Sequence, residues 1–284
     1  MSGPVILPRV IRTRSELAAA LTNSPRTIGL VPTMGALHAG HASLIRRARE
    51  ENHTAVVTIF INPRQFNEAT DFDRYPRDEA ADLRVCGAAG ADLVFIPGVE
   101  EIYPPGFQTT VHVAELTEPL EGSARPGHFD GVTTIVAILL GLVHPDRAYF
   151  GQKDAQQLYV IRRMARDLGI GAEIVACPIV REPDGLAMSS RNVRLDPRQR
   201  TAAAVLRRAL TAARDRYVAG ERNGEVLRSA MRETLAAEPL AASEYVSCAD
   251  PATLSELDHV GGRALLSLAV RFGDVRLIDN EPLP

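Results

Sequence analysis

The sequence predicts a doubly wound, parallel-sheet α/β domain followed by a smaller α+β domain. Through the first two thirds, short apolar runs alternate with amphipathic helical stretches. Parallel strands need a crossover at each return, and interleaved helices supply it. After about Val180 the pattern changes to helices followed by strand-like runs. The 284 residues, 45% hydrophobic and 24% charged, suffice for two ordinary domains with buried cores. The boundary falls within 179–190, and we divide the chain as 1–182 and 183–284.

Taken in order, "TIGLVP" (27–32) reads as a buried strand, followed by a loop and the helix "HASLIRRAREEN". Then come "TAVVTIFI" as strand, "DEAADLRVCGAAG" as helix and "DLVFIP" as strand. "GVTTIVAILLGLV" is apolar all round and predicts a buried helix. "RAYFG" is a strand, "DAQQLYVIRRMARDLG" a helix and "AEIVACPIV" a strand. In the second domain, Asp196 before Pro197 marks the start of one long helix running to about 221. "EVLRSAMRETLAAE" makes another helix. "SEYVSCAD", "RALLSLAVRF" and "VRLIDN" read as strands, the last two as a hairpin turning at Gly273-Asp274.

Composition narrows function by exclusion. A net charge of −3 gives no polycationic face for nucleic acid and no polybasic tail. Cys86, Cys177 and Cys248 are far apart and odd in number, which argues against a disulfide framework or zinc ribbon and for a reducing cytoplasm. The opening "MSGPVILPRVIRTR" lacks the apolar core of a signal peptide, and no apolar run reaches 18 residues. The expectation is a cytoplasmic protein with no membrane or nucleic-acid partner.

In a doubly wound sheet, ligands sit at the carboxyl ends of the strands, so the strand-to-helix loops are where to search. "VPTMGALHAGH" (31–41) places His38 and His41 three residues apart at a helix start, where free amides and the dipole suit phosphate. No GxxxxGK[ST] occurs, so this is not a P-loop. "FINPRQF" (60–66) offers Asn62 and Gln65, neutral amides able to orient hydroxyl or carboxylate groups. "RAYFGQKDAQQL" holds Lys153, the only lysine in the chain. Asp154 stands beside it at a helix N-cap position, and Gln157 lies three residues on. "GLAMSSRN" (185–192), at the domain junction, is a polar loop able to fold over phosphates.

Together, "LVPTMGALHAGH", "FINPRQF", "GHFDGV", "YFGQKDAQQL" and "VREPDGLAMSSRN" resemble the pantothenate synthetase (pantoate–β-alanine ligase) family, within the wider HxGH nucleotidyltransferase superfamily. The motifs span about residues 30–195, in order, while the C-terminal third matches mainly in style. The resemblance implies a Rossmann-like domain that joins pantoate to β-alanine using ATP and Mg²⁺. Pantoate attacks the α-phosphorus to give pantoyl adenylate and pyrophosphate, and β-alanine then displaces AMP.

By that resemblance Met34, Gly35, Ala36, Leu37, His38, Ala39, Gly40 and His41 line the ATP site, with His41 donating a proton or stabilising phosphate and His38 its partner. Gly151, Gln152, Lys153 and Asp154 contact ATP, with Lys153 on the phosphates and Asp154 on the ribose side. Val180 meets the adenine through its backbone, and Met188, Ser189, Ser190 and Arg191 close over the phosphates. Gln65 and Gln157 hold pantoate, Gln65 also lying near β-alanine, while Arg125 and His128 help around the second substrate. The catalytic set is thus His41, His38, Lys153 and Arg191.

The chain departs from the family with Arg64 in "NPRQF" where Met is usual, Ala155 where Tyr is usual, and Gln152 where Glu is common. Arg64 is expected to add charge beside the pantoate end. Asp82 follows Ala81 where the family carries an acidic pair, so Asp82 is a tentative metal ligand and Mg²⁺ is expected mainly on ATP phosphates. A homodimer through the N-terminal domain is the implied assembly. Competing readings are a nucleotidyltransferase that stops at an adenylated product and a nucleotide-binding protein without turnover. The two glutamines favour the ligase over the first, and His38, His41, Lys153 and Arg191 argue against the second.

Overall fold

The computed structural model describes residues 7–67, 72–73 and 75–284. The first six residues of the opening segment considered above lie outside the described residues. Two compact units emerge, one formed by 1–151 with 160–178, the other by 152–159 with 179–284.

The first unit is built on a six-stranded parallel sheet: β1 (Arg9–Ile11), β2 (Ile28–Thr33), β3 (Thr54–Ile59), β4 (Leu93–Phe95), β5 (Arg147–Gly151) and β6 (Glu173–Cys177). Their spatial order is β1-β4-β3-β2-β5-β6. The strands read as unbroken apolar runs because both faces are covered: Ile28, Leu30, Val31, Ala55, Val56 and Val57 are all fully buried. The crossovers are α1 (Arg14–Thr22), α2 (Ala39–Glu51), α3 (Glu79–Ala89), α4 (His128–Val143) and α5 (Ala155–Asp167). The first turn of α5 groups with the second unit. α4 is the buried helix expected from its composition, with Phe129, Val132, Ile135, Val136, Leu139, Leu140 and Val143 in the core. β3 lies on one flank of β2 and β5 on the other. The carboxyl ends of β2 and β5 therefore define the switch point of the sheet, where this architecture binds ligands.

The second unit carries an antiparallel sheet of β7 (Ala242–Ala249), β8 (Ala264–Phe272) and β9 (Val275–Leu283), in that order. The hairpin turns at Gly273-Asp274 as expected, with Phe272 opposite Val275. α6 (Val205–Val218) and α7 (Gly224–Ala236) cover one face, with Leu206, Leu210, Leu227 and Met231 against Leu266, Leu268 and Phe272. The long helix expected from Asp196 is two helices. Pro197–Ala202 begins on a reciprocal cap between Asp196 and Gln199, and α6 begins at Val205. At Ala203-Ala204 the backbone stays helical but tightens, the Leu206 amide reaching the Ala203 carbonyl three residues back. Among the described residues, no helix is long and apolar enough to cross a membrane.

Candidate active site

The loop leaving β2 is shaped before any ligand is considered. Thr33 Oγ1 donates to the Thr58 carbonyl at 2.7 Å and accepts the Gly35 amide at 3.3 Å. The chain then turns through Gly35 at φ +84° and Ala36 at φ +52°. A Cβ at Gly35 would stand 2.8 Å from Asp82 Oδ2, so the position needs glycine for both conformation and space. Asp82, on α3 and buried, accepts the Ala36 amide at 3.1 Å and the Leu37 amide at 2.7 Å. Burial pushes its carboxyl above the usual carboxylate range, and those two amides pull the other way. Asp82, expected as a metal ligand, straps the loop through one amide on each oxygen.

His38 and His41 cap α2 reciprocally. His38 Nδ1 accepts the Gly40 amide at 3.1 Å, and His41 Nδ1 accepts the His38 amide at 3.3 Å. This is the geometry of a capping box, with imidazoles in the places usually taken by a hydroxyl and a carboxamide. The two ring centroids lie 4.1 Å apart. A ring nitrogen that accepts an amide hydrogen carries no proton, so each neutral ring is protonated at Nε2. Two Nε2–H donors therefore belong to the N-terminus of a 13-residue helix, where amides and dipole already favour an anion.

Past β3, Asn62 caps the short turn Pro63–Gln65. Its amide donates to Gln65 Oε1 at 3.1 Å and to the Gly131 carbonyl at 3.0 Å. Its oxygen accepts the Arg64 amide at 3.2 Å and the Tyr103 hydroxyl at 2.8 Å. Two donors and two lone pairs are then fully used. Asn62, expected as a substrate ligand, makes these bonds within the protein, one of them holding Gln65 Oε1. Gln65 is itself buried, with Nε2 3.0 Å from Met34 Sδ.

The Gln65 carbonyl accepts from His128 Nδ1 at 2.8 Å and from Arg125 Nη2 at 3.2 Å, while Arg125 Nη1 and His128 Nε2 lie 3.1 Å apart. A carbonyl can only accept, so His128 carries its proton on Nδ1. Arg125 and His128 thus brace the backbone of Gln65. Arg64 sets its charge against two aromatic rings. Its guanidinium lies 5.3 Å from the ring centres of both Tyr103 and Phe107 and donates to the Thr109 carbonyl.

In the second unit, Gln152–Asp154 form a single 3-10 turn before α5. Lys153 Nζ is 3.7 Å from Asp154 Oδ1, with its side chain 18% exposed. Gln157 follows, half-buried, in the first turn of α5. The 180–188 stretch is a small hairpin in which Val180 accepts the Met188 amide at 3.0 Å and Arg181 pairs with Ala187. Ser189 Oγ accepts the Arg191 amide at 3.2 Å, shaping the turn that carries Ser190 and Arg191.

Residues not singled out from sequence include Tyr103 and Gly131 in these networks and, in the second unit, Asp279 and Asn280 of β9. Gly131 was within reach, since "GHFDGV" was noticed as a motif without its physical reason. A Cβ there would press on the Arg64 carbonyl and the Gln65 nitrogen. The adjacent Asp279 and Asn280, buried at 1% and 2% exposure on β9, are the kind of polar pair that signals a network.

The family model described as pantoate-beta-alanine ligase matches residues 9–282. A pantothenate synthetase of a Roseiflexus species is 60% identical over 272 residues, covering 96% of this chain and 98% of its own. That of Chloroflexus aggregans is 61% identical over 254 residues, covering 89% and 92%. Among solved structures, pantothenate synthetase from Thermus thermophilus aligns with a TM-score of 0.92 at 49% identity, covering 96% of this chain and 98% of that one. The Francisella tularensis pantoate-beta-alanine ligase, complexed with β-γ ATP and β-alanine, aligns with a TM-score of 0.78 at 33% identity, covering 96% and 97%. With the folds, the loops and these likenesses in agreement, this chain belongs to the pantoate–β-alanine ligase family.

Proposed function

We infer that this chain condenses D-pantoate with β-alanine to pantothenate through pantoyl adenylate, using ATP and releasing AMP and pyrophosphate. The observation that carries the reading is the reciprocal imidazole cap of α2. It fixes two Nε2–H donors on a helix N-terminus at the switch point of a parallel sheet.

In the first half-reaction the pantoate carboxylate forms a bond to the α-phosphorus as the bond to pyrophosphate breaks. Such a transfer needs positioning and charge stabilisation and no protein nucleophile. Cys86, Cys177 and Cys248 are indeed all buried thiols. On this reading His41 donates to phosphoryl oxygens with His38 beside it, and Lys153 and Arg191 supply charge along the phosphates. The remaining loop positions from Met34 to Gly40, Gly151 to Asp154, Val180, and Met188 to Ser190 shape the nucleotide site. Gln65 and Gln157 orient pantoate. Gln65 is suited to this because its Nε2 rests on a thioether, a weak acceptor that a substrate oxygen displaces readily. In the second half-reaction the β-alanine amine attacks the acyl carbonyl, and AMP leaves.

Among the described residues, no group of three or more His, Cys, Asp or Glu side chains could hold a metal. Mg²⁺ is therefore proposed to arrive on the ATP phosphates, whose charge it would partly neutralise. A homodimer and a cytoplasmic location complete the proposal; light scattering of the purified chain tests the former.

The decisive experiment measures AMP and pyrophosphate with ATP, Mg²⁺, D-pantoate and β-alanine, omitting one component at a time. Pyrophosphate should require pantoate, and AMP release should require β-alanine. AMP that forms equally well without β-alanine would refute the ligase.

A further inference from the structure

The two loop segments of the second unit meet at one point of its sheet. Asn280, on β9 and 2% exposed, donates through Nδ2 to the carbonyls of Gln152 and Lys153, both at 2.9 Å. Its Oδ1 accepts from Gln152 Nε2 at 3.3 Å. Next to it, Asp279 has no exposed side-chain surface and receives Arg181 in a bidentate pair at 2.6 and 3.0 Å. Arg181 also donates to the Gly185 carbonyl at 3.0 Å, holding the hairpin that leads into Met188–Arg191. The Asn280 amide closes the set on Asp279 Oδ1 at 2.8 Å.

From this juxtaposition we propose that Asp279 and Asn280 are positioning residues for the adenylation step. Asn280 fixes the turn that carries Lys153, and Asp279 fixes, through Arg181, the turn that carries Ser189–Arg191. Neither touches substrate in this scheme. The inference rests on the ligase reading, because that reading gives Lys153 and Arg191 their work.

The reasoning is geometric. A Lys153 side chain is long and mobile, so its aim depends on the backbone that launches it. The launching turn is a single 3-10 turn, and two of its carbonyls are held by one buried amide on a strand of a packed sheet. Removing that amide leaves two carbonyls without their donor and frees the turn to rotate. The fold has other support, since the core of the second unit lies on the opposite face, among Leu266, Leu268, Val270 and Leu277.

The test is a double-mutant cycle on the full chain, with Asn280→Ala, Lys153→Ala and the pair, alongside Asn280→Asp. Ser267→Ala, at the residue directly opposite Asn280 on β8, serves as control. Circular dichroism and Tm report folding; kcat and KM for ATP and pantoate report function. Asn280→Ala and Asn280→Asp should stay folded, and each should lose about tenfold to a hundredfold in kcat, the scale of a misplaced reacting group. The KM for pantoate should stay within about twofold, as expected when transition-state stabilisation alone is removed. In the Lys153→Ala background the further loss should be under about threefold, because a turn that no longer carries its lysine has little left to misplace. Ser267→Ala should keep native turnover.

Multiplicative losses across the cycle, near-native turnover of Asn280→Ala, or a loss in Ser267→Ala equal to that in Asn280→Ala would each overturn the proposal. Unfolding of both Asn280 variants would overturn it too, since the pair would then be holding the fold and not the turn. A wild-type chain that makes no pantothenate refutes the ligase reading first, and the proposal with it.

Discussion

Gly131→Ala is expected to lower activity far more than stability. Gly131 lies in the first turns of α4, against the Pro63–Gln65 turn. An added methyl would stand 2.5 Å from the Arg64 carbonyl carbon and 2.7 Å from the Gln65 nitrogen, and closer still to the Arg64 oxygen. All three are backbone atoms, so no rotamer change relieves the clash. Restoring ordinary van der Waals distance moves the turn by about 1 Å relative to α4. The same shift stretches the 3.0 Å bond from Asn62 to the Gly131 carbonyl, and Gln65 loses its aim.

Overpacking of this kind costs about 1–3 kcal/mol. Replacing a helical glycine by alanine returns about 1 kcal/mol. The net stability loss is therefore small, about 0–2 kcal/mol by those two figures. A 1 Å misplacement of a substrate-orienting group, by contrast, costs on the order of 10²-fold in rate. The assay is steady-state kcat/KM for pantoate beside the thermal midpoint. A hundredfold loss with a midpoint within a few degrees is expected. Native kcat/KM for pantoate would refute the claim that the α4 contact sets the position of Gln65.

Four further outcomes are expected. His41→Ala should reduce turnover roughly 10²–10³-fold, the usual loss for a transition-state donor, and a loss below about tenfold would remove His41 from that role. Lys153→Arg should fold normally yet lose most activity, because a planar fork replaces a compact charge that follows moving phosphates; steady-state turnover and circular dichroism decide it. Asp82→Ala strips two loop amides of their acceptor and should cost about 2 kcal/mol of stability, read from denaturant unfolding, with KM for ATP rising in parallel. Tyr103→Phe removes the hydroxyl bond to Asn62 and should raise KM for pantoate severalfold, the effect of about 1 kcal/mol. Burial pushes that phenol to about 12, above its unfolded value. Its contribution to stability is thus complete below pH 10 and lost as pH rises through about 12, a slope that titrations of stability should find reduced in Tyr103→Phe.

The fold was legible because its signals are local and repeated. Val56 and Val57 sit in apolar runs covered on both faces, and the strand–helix alternation forced parallel returns. His38 and His41 were legible for the same reason, being three residues apart on a helix start. What stayed hidden is the partner of a side chain that has two kinds available. A sequence shows that Asn62 and Asp82 are polar at the right loops, but not that Asn62 bonds Gln65, Gly131, Arg64 and Tyr103 or that Asp82 holds two loop amides. The setting of Arg64 was hidden because the rings beneath it, Tyr103 and Phe107, come from a segment about forty residues away. Asn280 lies 127 residues from Lys153, and nothing in the pattern of β9 announces that separation will close.

The two units nevertheless solve the same problem in the same way. Each carries a loop with a side chain proposed to meet substrate, and in each a buried asparagine grips that loop. Asn62 donates to Gln65 and to the Gly131 carbonyl; Asn280 donates to the Gln152 and Lys153 carbonyls. A buried carboxamide with every bond made rigidifies its surroundings, whereas one half satisfied is a liability. The three departures expected from sequence fall differently about these grips. Arg64 and Ala155 lie within the gripped segments, yet their side chains make none of the gripping bonds: Arg64 stacks over Tyr103 and Phe107, and Ala155 is simply buried. Arg64 and Ala155 thus stand beside the grip, whereas Gln152, the third departure, is part of it through the bond from its Nε2 to Asn280 Oδ1. Arg64→Met should accordingly leave turnover within about twofold, the usual scale for a surface contact, while Asn62→Ala should not.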